Sequence, residues 1–459
     1  MIDTFSIRCS ILHLAFSGKL TEQHESDGTA FELISMVNPS KSIIYDGKTP
    51  YDLPPSWAWV RLADLYSINP KIEADSSVDA AFIPMDKISA GFDDRFSFET
   101  QKWGVASKNH TRFADGDVAF AKISPCFENR KSFIAHGLPN GIGGGTTELI
   151  ILRQKLILPR YTYYLILDQR FIHAGSASYH GIVGQQRVQS DVIKNYLVPV
   201  APYSEQKRIV EKIEQAFSIL DTIDTLQAQY ADNFTVLKSK LIDAAIQGKL
   251  TEQLPEDGTA EELYQQIQAE KQALIKAGKI KKEKPLPILD ENESTIAVPT
   301  NWKLCRLGEV ITLVSGTDYK PEDYNDTHKG TPYITGASNL LPDGVLVNRW
   351  TETPRCIANK GDVLLVCKGS GYGKVAICDI NEAHVARQIM AIKHTSLLEM
   401  RYVLYYLIAN FSYLKERGQG LIPGVDRNSV LSMVFPLPPL AEQKRIVTRL
   451  DEVISNYNS

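Results

Sequence analysis

The sequence contains an internal repeat, and this repeat restricts the possible folds more than any other feature. The residues Gly-Lys-Leu-Thr-Glu-Gln occupy positions 18–23 and again 248–253. Glu-Gln-Lys-Arg-Ile-Val occupies positions 205–210 and again 442–447. Identical six-residue runs in the same order do not arise between unrelated segments. The chain is therefore predicted to be one structural unit that has been duplicated.

Shorter matches extend the repeat, whereas the stretches between them differ. Asp-Gly-Thr-Ala recurs at 27–30 and 257–260, and Gly-Asp-Val recurs at 116–118 and 361–363. Residues 102–111 and 350–360 show little mutual similarity. The repeat thus predicts two similar frameworks that display two different surfaces, which is how one chain could recognise two different targets.

Residues 204–247 predict one long amphipathic helix. Ser204 is a suitable N-cap, and Gly248 stands where a C-terminal glycine cap belongs. At 1.5 Å per residue, a helix of this length spans roughly 66 Å. A lone rod cannot bury its apolar stripe, so a partner helix is needed. The stripe comprises Ile209, Ile213, Ala216, Leu220, Ile223, Leu226, Tyr230, Phe234, Leu237 and Leu241.

The partner is present in two pieces, one at each end of the chain. Residues 441–456 repeat the first half of the long helix, and residues 5–17 repeat its second half. We therefore predict that the two ends together supply a second rod, antiparallel to the first, in a cyclic arrangement with pseudo-twofold symmetry. Two unrelated helical tails would not explain why the ends complete each other.

The predicted fold class is α+β, with two mixed α/β modules joined by long antiparallel, coiled-coil-like helices. Residues 117–121, 148–152 and 362–367 favour strands, and residues 161–171 and 402–411 favour short helices. The predicted segments are an N-terminal helix (1–20), a linker (21–52), the first module (53–203), the central helix (204–248), a second linker (249–297), the second module (298–439) and a C-terminal helix (440–459).

The sequence contains no nucleotide-binding or metal-binding motif with the required residue spacing. Residues 369–374 are rich in glycine, but Lys368 stands where a P-loop needs glycine and Val375 replaces its Ser or Thr. The histidines form no metal-binding pair, and Asp117 and Asp362 follow glycines in positions typical of turns. We predict no catalytic residue and no metal site, so the sequence favours a binding protein over an enzyme.

The composition indicates in which cellular compartment the protein is expected. Six cysteines are scattered without a Cys-x-x-Cys pair, which favours free thiols in a reducing cytosol over zinc or disulfides. No apolar run is long enough to cross a membrane, and the N-terminus is a poor signal peptide. We expect a cytoplasmic protein with no membrane association. The net charge of −4 excludes a polycationic tail but allows a local basic surface.

Loops within the modules supply candidate DNA-binding residues. Lysine and arginine neutralise phosphates, and glutamine and arginine suit base edges. For any single residue, an ordinary solvated loop remains the alternative. The candidates in the first module are Lys108, Arg112, Lys122, Arg130, Lys131, Thr146, Gln185 and Arg187. Those in the second module are Lys320, Arg349, Lys368, Ser370, Tyr372, Lys374 and Arg387.

The repeated blocks resemble the shared regions of type I restriction-modification specificity subunits. The resemblance is carried by residues 437–447, by their variant at 200–210 and by Gln-Gly-Lys-Leu at 247–250, and it extends over essentially the whole chain. Two departures are mild. Tyr203 and Ser204 stand where the second copy has Leu and Ala, and the terminal rod is shorter in total than the central one.

The resemblance implies a noncatalytic subunit that directs other subunits to a specific DNA sequence. Each module would be a target-recognition domain for one half of a bipartite, asymmetric DNA sequence, and the paired rods would fix the spacer. The helices would hold two methyltransferase subunits, and two ATP-dependent translocase-nuclease subunits would join for restriction. S-adenosylmethionine, ATP and Mg²⁺ would bind to those subunits and no cofactor to this chain. The implied partner-binding residues are Glu205, Gln206, Arg208, Glu442, Gln443 and Arg445.

Two other functions remain open from the residues alone. One is a cytoplasmic scaffold whose two modules bind proteins and do not act on DNA. The other is an enzyme that acts on DNA with an unrecognised active site.

Overall fold

A computed structural model describes residues 1–37, 44–154, 156–182, 185–290, 297–342, 344–369, 371–410 and 424–458. The chain divides into two compact units, Met1–Gln229 and Tyr230–Ser459. The boundary falls inside the long central helix, so each unit combines half of that helix with one end of the chain. This division agrees with the cyclic order of the sequence repeat.

The helices alternate with short strands in both units. Those before the unit boundary are α1 (Thr4–Ala15), α2 (Ala30–Val37), α3 (Leu62–Leu65), α4 (Trp103–Ala106), α5 (Pro159–Leu167), α6 (Gln169–Ser176) and α7 (Ser190–Asn195). The central helix is α8 (Tyr203–Ile246). The later ones are α9 (Ala260–Lys276), α10 (Leu307–Val310), α11 (Met400–Ala409), α12 (Arg427–Leu431) and α13 (Leu440–Asn458). Single 3-10 turns cover Glu25–Asp27, Met85–Lys87, Pro139–Gly141, Pro255–Asp257, Pro321–Asp323 and Ala337–Asn339.

Helix α8 confirms the predicted long helix. It is 44 residues long and ends before Gly248, whose φ of +70° closes the last turn. Its predicted stripe is buried near the start, as at Ile213, but Leu226 in the middle is 57% exposed and Leu241 near the end is half-buried. The fully buried residue at that end is the adjacent Ile242. Continuous burial of the stripe is thus not observed, because α1 has only 12 residues and covers only part of the rod.

Helix α1 runs antiparallel to the first part of α8. The hydroxyl of Thr4 donates to Asp224 at 2.5 Å, and the guanidinium of Arg8 donates to Asp221 at 2.6 Å. Residue numbers rise along α1 as they fall along α8, which confirms the predicted antiparallel pairing in the first unit. In the second unit, Leu450 of α13 shares a hydrophobic cluster with Ile242 of α8.

Within its described residues, the first unit contains three sheets. A two-stranded ribbon pairs β1 (Ala58–Arg61) with β10 (Leu197–Val200). An antiparallel sheet has the order β2-β9-β6-β7, and a mixed sheet has the order β4-β3-β8-β5 with β3 and β8 parallel. The strands of these two sheets are β2 (Ser67–Ile68), β3 (Asp79–Ile83), β4 (Glu99–Lys102), β5 (Thr111–Ala114), β6 (Val118–Ala121), β7 (Ser132–Ile134), β8 (Ile142–Gly145) and β9 (Leu149–Arg153).

The second unit repeats these three sheets and adds a two-stranded one, in which Leu340–Leu341 pairs with Gly344–Val345. A ribbon pairs β11 (Lys303–Arg306) with β22 (Val434–Leu437), and the two four-stranded sheets have the orders β12-β21-β18-β19 and β16-β13-β20-β17. Strands β13 and β20 are again parallel. The remaining strands are β12 (Leu313–Ser315), β13 (Thr331–Ile334), β14 (Leu340–Leu341), β15 (Gly344–Val345), β16 (Trp350–Thr351), β17 (Ile357–Asn359), β18 (Val363–Val366), β19 (Val375–Ile377), β20 (Glu382–Val385) and β21 (Ile389–Ile392).

The Gly-Asp-Val repeat marks one equivalent point in both modules. Asp117 is buried and accepts two hydrogen bonds of 2.7 Å from Arg153 and one of 2.8 Å from the Ala114 amide. Asp362 is likewise buried and pairs with Lys393 at 2.5 Å. Both aspartates therefore hold a turn and a neighbouring strand together, as their position after glycine predicts.

Two predicted linkers contain helices. Helix α2 lies within 21–52 and α9 within 249–297. A capping box starts α9, since Thr259 and Glu262 bond each other's backbone N–H at 3.4 and 3.3 Å. Ala260 and Leu263 are buried, so this segment packs into the core of the second unit.

The short helices predicted in the two modules are present, but their bounds differ from the prediction. The predicted helix at 161–171 is two helices, α5 and α6, separated at Asp168, whose carboxylate caps α6 by accepting from the Arg170 amide at 2.7 Å. The one at 402–411 corresponds to α11, and its last predicted residue lies outside the described residues.

Candidate DNA-recognition and subunit-contact residues

The repeated Glu-Gln-Lys-Arg block at the start of α8 is largely buried. Glu205 is 1% exposed. Its carboxylate accepts hydrogen bonds from the Trp57 indole at 2.8 Å, the Thr21 hydroxyl at 3.0 Å and the Gln23 amide at 2.5 Å. Three donors around one carboxylate satisfy its hydrogen-bonding capacity inside the protein. The helix start is thereby joined to the segment that follows α1.

The second unit contains the same contact. Glu442 is fully buried and accepts from the Trp302 indole at 2.8 Å, the Thr251 hydroxyl at 3.2 Å and the Gln253 amide at 2.9 Å. The two repeated sequence blocks are therefore the two sides of one structural contact. We call it the glutamate latch, defined by Glu205 or Glu442 with its three donors.

The neighbouring glutamines bind backbone groups. Gln206 donates to the Ala201 carbonyl at 2.9 Å and accepts from the Leu158 amide at 3.1 Å. Gln443 makes the same two kinds of bond, each 2.9 Å long, with the Pro438 carbonyl and the Glu399 amide. Both side chains are fully buried. They fix the position of α5 or α11 relative to the helix start.

Arginines complete the latch on its outer side. Arg208 donates to both oxygens of Asp27 at 2.8 and 2.5 Å, and Arg445 does the same to Asp257 at 2.7 and 2.5 Å. These hydrogen bonds lower the pKa of both aspartates. The arginine side chains remain about a third exposed, at 31% and 33%.

This geometry gives an internal role to the partner-binding residues that the resemblance implies, and their contact with another subunit stays a prediction. Glu205, Gln206, Glu442 and Gln443 are buried, and their polar groups are bonded within their own unit. Those polar groups are therefore engaged within the unit. Arg208 and Arg445 are partly exposed, but both are engaged with aspartates. The block is repeated because it holds each helix to its module.

Several DNA-binding candidates are also engaged internally. Arg130 is only 6% exposed, donates to the Leu167 carbonyl at 3.1 Å and lies 4.9 Å from the Phe5 ring centre. Burial lowers the pKa of its guanidinium. Arg130 therefore links α5 to α1 and is not a free surface cation. Its burial does not favour the predicted DNA contact, which stays a prediction.

Arg112 and Lys131 donate to backbone carbonyls. Arg112 donates to Ser107 at 3.4 Å and to Ile72 at 3.3 Å, and it lies over the Trp103 ring. The Lys131 ammonium donates to the Met85 carbonyl at 2.8 Å. Both side chains therefore stabilise turns of the first module.

One cluster of candidates does come together in the first module. Arg187 donates to both oxygens of Glu148 at 2.9 and 2.8 Å, and these bonds lower the pKa of Glu148. The backbone of Lys122 bonds the amide of Val188 at 2.9 Å, which brings Lys122 beside this pair. The Thr146 hydroxyl accepts from the Glu148 amide at 3.3 Å. The exposed candidates of this module are Lys108 and Gln185.

In the second module, the candidates lie around the turn between β18 and β19. Lys368 and Lys374 are exposed, and the Lys374 ammonium donates to the Ala337 carbonyl at 3.0 Å. The amide of Tyr372 closes the turn on the Gly369 carbonyl at 3.2 Å. Ser370 lies outside the described residues.

The remaining candidates of the second module have other partners. Arg387 pairs with Asp318 at 3.1 Å and Lys320 with Glu322 at 3.8 Å, all on the surface. Arg349 donates to a neighbouring backbone carbonyl at 2.9 Å. Surface pairs of this kind contribute little to stability, so these cations can exchange partners readily.

A buried histidine in the second module has no signal in the sequence. His384 is fully buried, and its Nδ1 accepts from the amides of Arg355 and Cys356, each at 3.2 Å. Its Nε2 lies 2.7 Å from the Thr317 carbonyl. Nδ1 must be unprotonated to accept these bonds, and burial lowers the pKa of the imidazole. His384 therefore fixes the loops beside the parallel strands β13 and β20.

Comparisons with known proteins identify the family to which this architecture belongs. Residues 299–458 match the family model of the type I restriction modification DNA specificity domain. The EcoEI specificity subunit of Escherichia coli is 32% identical, and the alignment covers 98% of this chain and 89% of that protein. The chain belongs to the type I restriction enzyme specificity subunits. Its role is in DNA specificity.

Further relatives agree with this membership. The EcoAI specificity subunit of Escherichia coli is 29% identical, with 100% of this chain and 90% of that protein covered. The HsdS subunit of Thermoanaerobacter tengcongensis shares the fold with a TM-score of 0.54 and 22% identity, over 89% of this chain and 92% of that one. A chain from a study of complex assembly in the type I R-M system gives a TM-score of 0.66 at 22% identity, over 89% and 93%. The predicted α+β fold class is confirmed.

The described residues contain no cluster of His, Cys, Asp and Glu that could hold a metal ion. No helix in the same part of the chain is long and apolar enough to cross a membrane.

Proposed function

We propose that this chain recognises a bipartite, asymmetric DNA sequence, with one module for each half, and directs methylation and restriction by partner subunits in the cytoplasm. The proposal rests on one observation: the two units share their framework, whereas their exposed loops differ. Both units have the ribbon, the two four-stranded sheets with equivalent strand orders and the glutamate latch. The loops that present cations differ between them, so each module would read a different base sequence.

The candidate DNA contacts differ in chemistry as well as in sequence. In the first module, Lys122, Gln185 and Arg187 lie on neighbouring segments around Glu148. In the second module, Lys368 and Lys374 flank a glycine-rich turn that allows close approach of a phosphate. Two dissimilar surfaces of this kind support an asymmetric target.

The partners follow from the family. We propose two methyltransferase subunits, which bind S-adenosylmethionine, and two ATP- and Mg²⁺-dependent restriction subunits, with this chain as the noncatalytic member. The test is to express the chain with a methyltransferase subunit of a type I restriction-modification system and to map methylated adenines by single-molecule sequencing. We expect one split motif that disappears when the gene is deleted.

Replacement of one module sharpens the test. If the modules read separate halves, replacing residues 298–439 by the corresponding module of a relative alters one half of the motif and preserves the other. A change in both halves, or methylation that is independent of the gene, contradicts the proposal.

A further inference from the structure

A loop of the first module contacts the framework helices at a place apart from the ribbon of β1 and β10. Residues 89–95 come after β3, and a bridge between Ile88 and Phe96 closes the base of this loop. Within it, the Gly91 amide donates to the Asn129 carbonyl at 2.8 Å. We call residues 89–95 the strap.

The side chain of Phe92 attaches the strap to both framework helices of the first unit. Its ring centre lies 5.5 Å from that of Phe5, next to the start of α1, and 5.5 Å from that of Phe217 on α8. The guanidinium groups of Arg8 and Arg130 lie 6.0 and 5.2 Å from the same ring centre. Aromatic and cation–π contacts depend on geometry, so this set of neighbours holds the ring in one position.

Asp94 adds an electrostatic link between the strap and the framework. Its carboxylate accepts a hydrogen bond from Arg160 on α5, and Arg160 also pairs with Glu214 on α8 at 3.1 Å. The three side chains are between a quarter and a half exposed. Arg160 is therefore shared between an acid of the strap and an acid of the framework.

A cavity beside the strap concentrates its framework contacts in these two residues. The cavity has a volume of about 630 Å³, and its lining includes residues 92–95 on one side and Glu214, Phe217 and Asp221 of α8 on the other. Where the cavity lies, strap and helix do not pack against each other. Loss of the Phe92 ring and the Asp94 carboxylate should therefore release the strap.

The strap joins two separately packed parts of the first unit. Residues of both four-stranded sheets form a hydrophobic cluster that includes Phe113 and Phe133, and Ile88 at the base of the strap belongs to it. Phe92 packs instead against a different cluster, which includes Ile213 of α8. The strap thus fixes the mixed sheet relative to α1 and α8.

The second unit holds its module in another way. Arg401 occupies the position of Arg160, and it pairs at 2.7 Å with Asp451 of α13, which matches Glu214. After β13, the strand equivalent to β3, the chain forms the hairpin of β14 and β15. The strap is therefore one of the features that distinguish the first module from the second, and it is not part of the repeated framework.

We propose that Phe92 and Asp94 are positioning residues, which orient the first module on its helices and thereby restrict the spacing accepted between the two DNA half-sites. This inference rests on the proposed function. Adjacent base pairs differ by about 3.4 Å in position and about 35° in rotation along B-DNA. A module held in one orientation meets its half-site at one spacing only, whereas a module that can tilt accepts a neighbouring spacing at a smaller free-energy cost.

The test uses the full chain expressed with a type I methyltransferase subunit. Three DNA duplexes carry the mapped motif with its own spacer, with one base pair fewer and with one base pair more. The variant is Phe92→Ala with Asp94→Ala, and the measured quantity is the ratio of methylation rates between duplexes. We expect the preference for the original spacer to fall at least about tenfold, equivalent to about 1.4 kcal/mol, while both half-site sequences stay unchanged.

Two control variants separate positioning from stability. Arg95→Ala removes an exposed strap side chain that pairs with Asp93 in the same loop. Phe133→Leu loosens the buried cluster between the sheets and leaves the strap contacts in place. Both should keep the original spacer preference even where total methylation falls. Phe92→Leu, which retains an apolar contact, should keep most of that preference.

The outcomes distinguish this inference from the proposed function. If the double variant no longer methylates any duplex, Asp94→Ala alone repeats the measurement, because Arg160 then still pairs with Glu214. An unchanged spacer preference after release of the strap, or an equal loss in Phe133→Leu, overturns the positioning role and leaves the proposed function intact. Absence of a split motif with the original chain overturns both.

Discussion

Removal of the latch carboxylate should destabilise one unit selectively. In Glu205→Ala, the indole N–H of Trp57, which is 3% exposed, loses its acceptor inside the protein. A buried unsatisfied donor costs about 1–3 kcal/mol, and loss of the two more accessible donors adds to this, so we expect about 2–4 kcal/mol. For a unit of this size, that lowers the melting temperature by about 10 °C.

The repeat provides an internal control for this experiment. Glu442→Ala removes the equivalent group from the second unit, and the two effects should be similar in size and additive. Scanning calorimetry gives the magnitude, and hydrogen exchange followed by mass spectrometry shows which unit has opened. The milder Glu205→Gln keeps one oxygen acceptor and should cost about half as much. An effect below about 0.5 kcal/mol, or equal opening of both units, refutes the reasoning.

Four further outcomes test the assignments. The Arg208 hydrogen bonds lower the pKa of Asp27, so their stabilisation is present at neutral pH and is lost as acidification passes the lowered pKa; Asp27→Asn should remove this part of the acid sensitivity of melting. Burial lowers the pKa of His384 below 6.5, so falling pH protonates the unfolded chain first; the second unit should melt at lower temperature at pH 5 than at pH 7.5, and His384→Gln should flatten that dependence. Lys368→Ala should weaken DNA binding through the second module and reduce its salt dependence, measured by fluorescence anisotropy, and unchanged affinity and salt slope would show that this turn does not touch DNA. Arg130→Met should instead destabilise the first unit by about 2 kcal/mol without changing the methylated motif.

The sequence predicted the elements whose causes are local. Helix α8 combines a 3.6-residue apolar period with a glycine that adopts φ of +70°, and both are visible in the printed residues. Helix α9 could also have been predicted, because Thr259 and Glu262 form the Thr-x-x-Glu pattern of a capping box. The lysine- and glutamate-rich residues that follow α9 favour a linker, and for this reason the whole of 249–297 is predicted as one.

Contacts between distant residues could not be predicted in the same way. Glu205 and Trp57 are 148 positions apart, so the sequence shows that both are repeated but not that they bond each other. The parallel pairing of β3 with β8 is equally non-local. Arg130 and Arg187 looked alike as loop cations, yet one is buried against aromatic rings and the other is paired with Glu148. Their difference depends on neighbours supplied by other elements.

The ribbon at the base of each module has a consequence for how such chains can change. Strand β1 lies antiparallel to β10, with Ala58 opposite Val200, and β11 lies opposite β22 in the same way. Each module therefore leaves the helical framework and returns to it through two adjacent strands. A different module inserted between these strands keeps both chain connections in place, provided that it also supplies the contacts that α5 makes with Gln206 and Arg130 makes with α1.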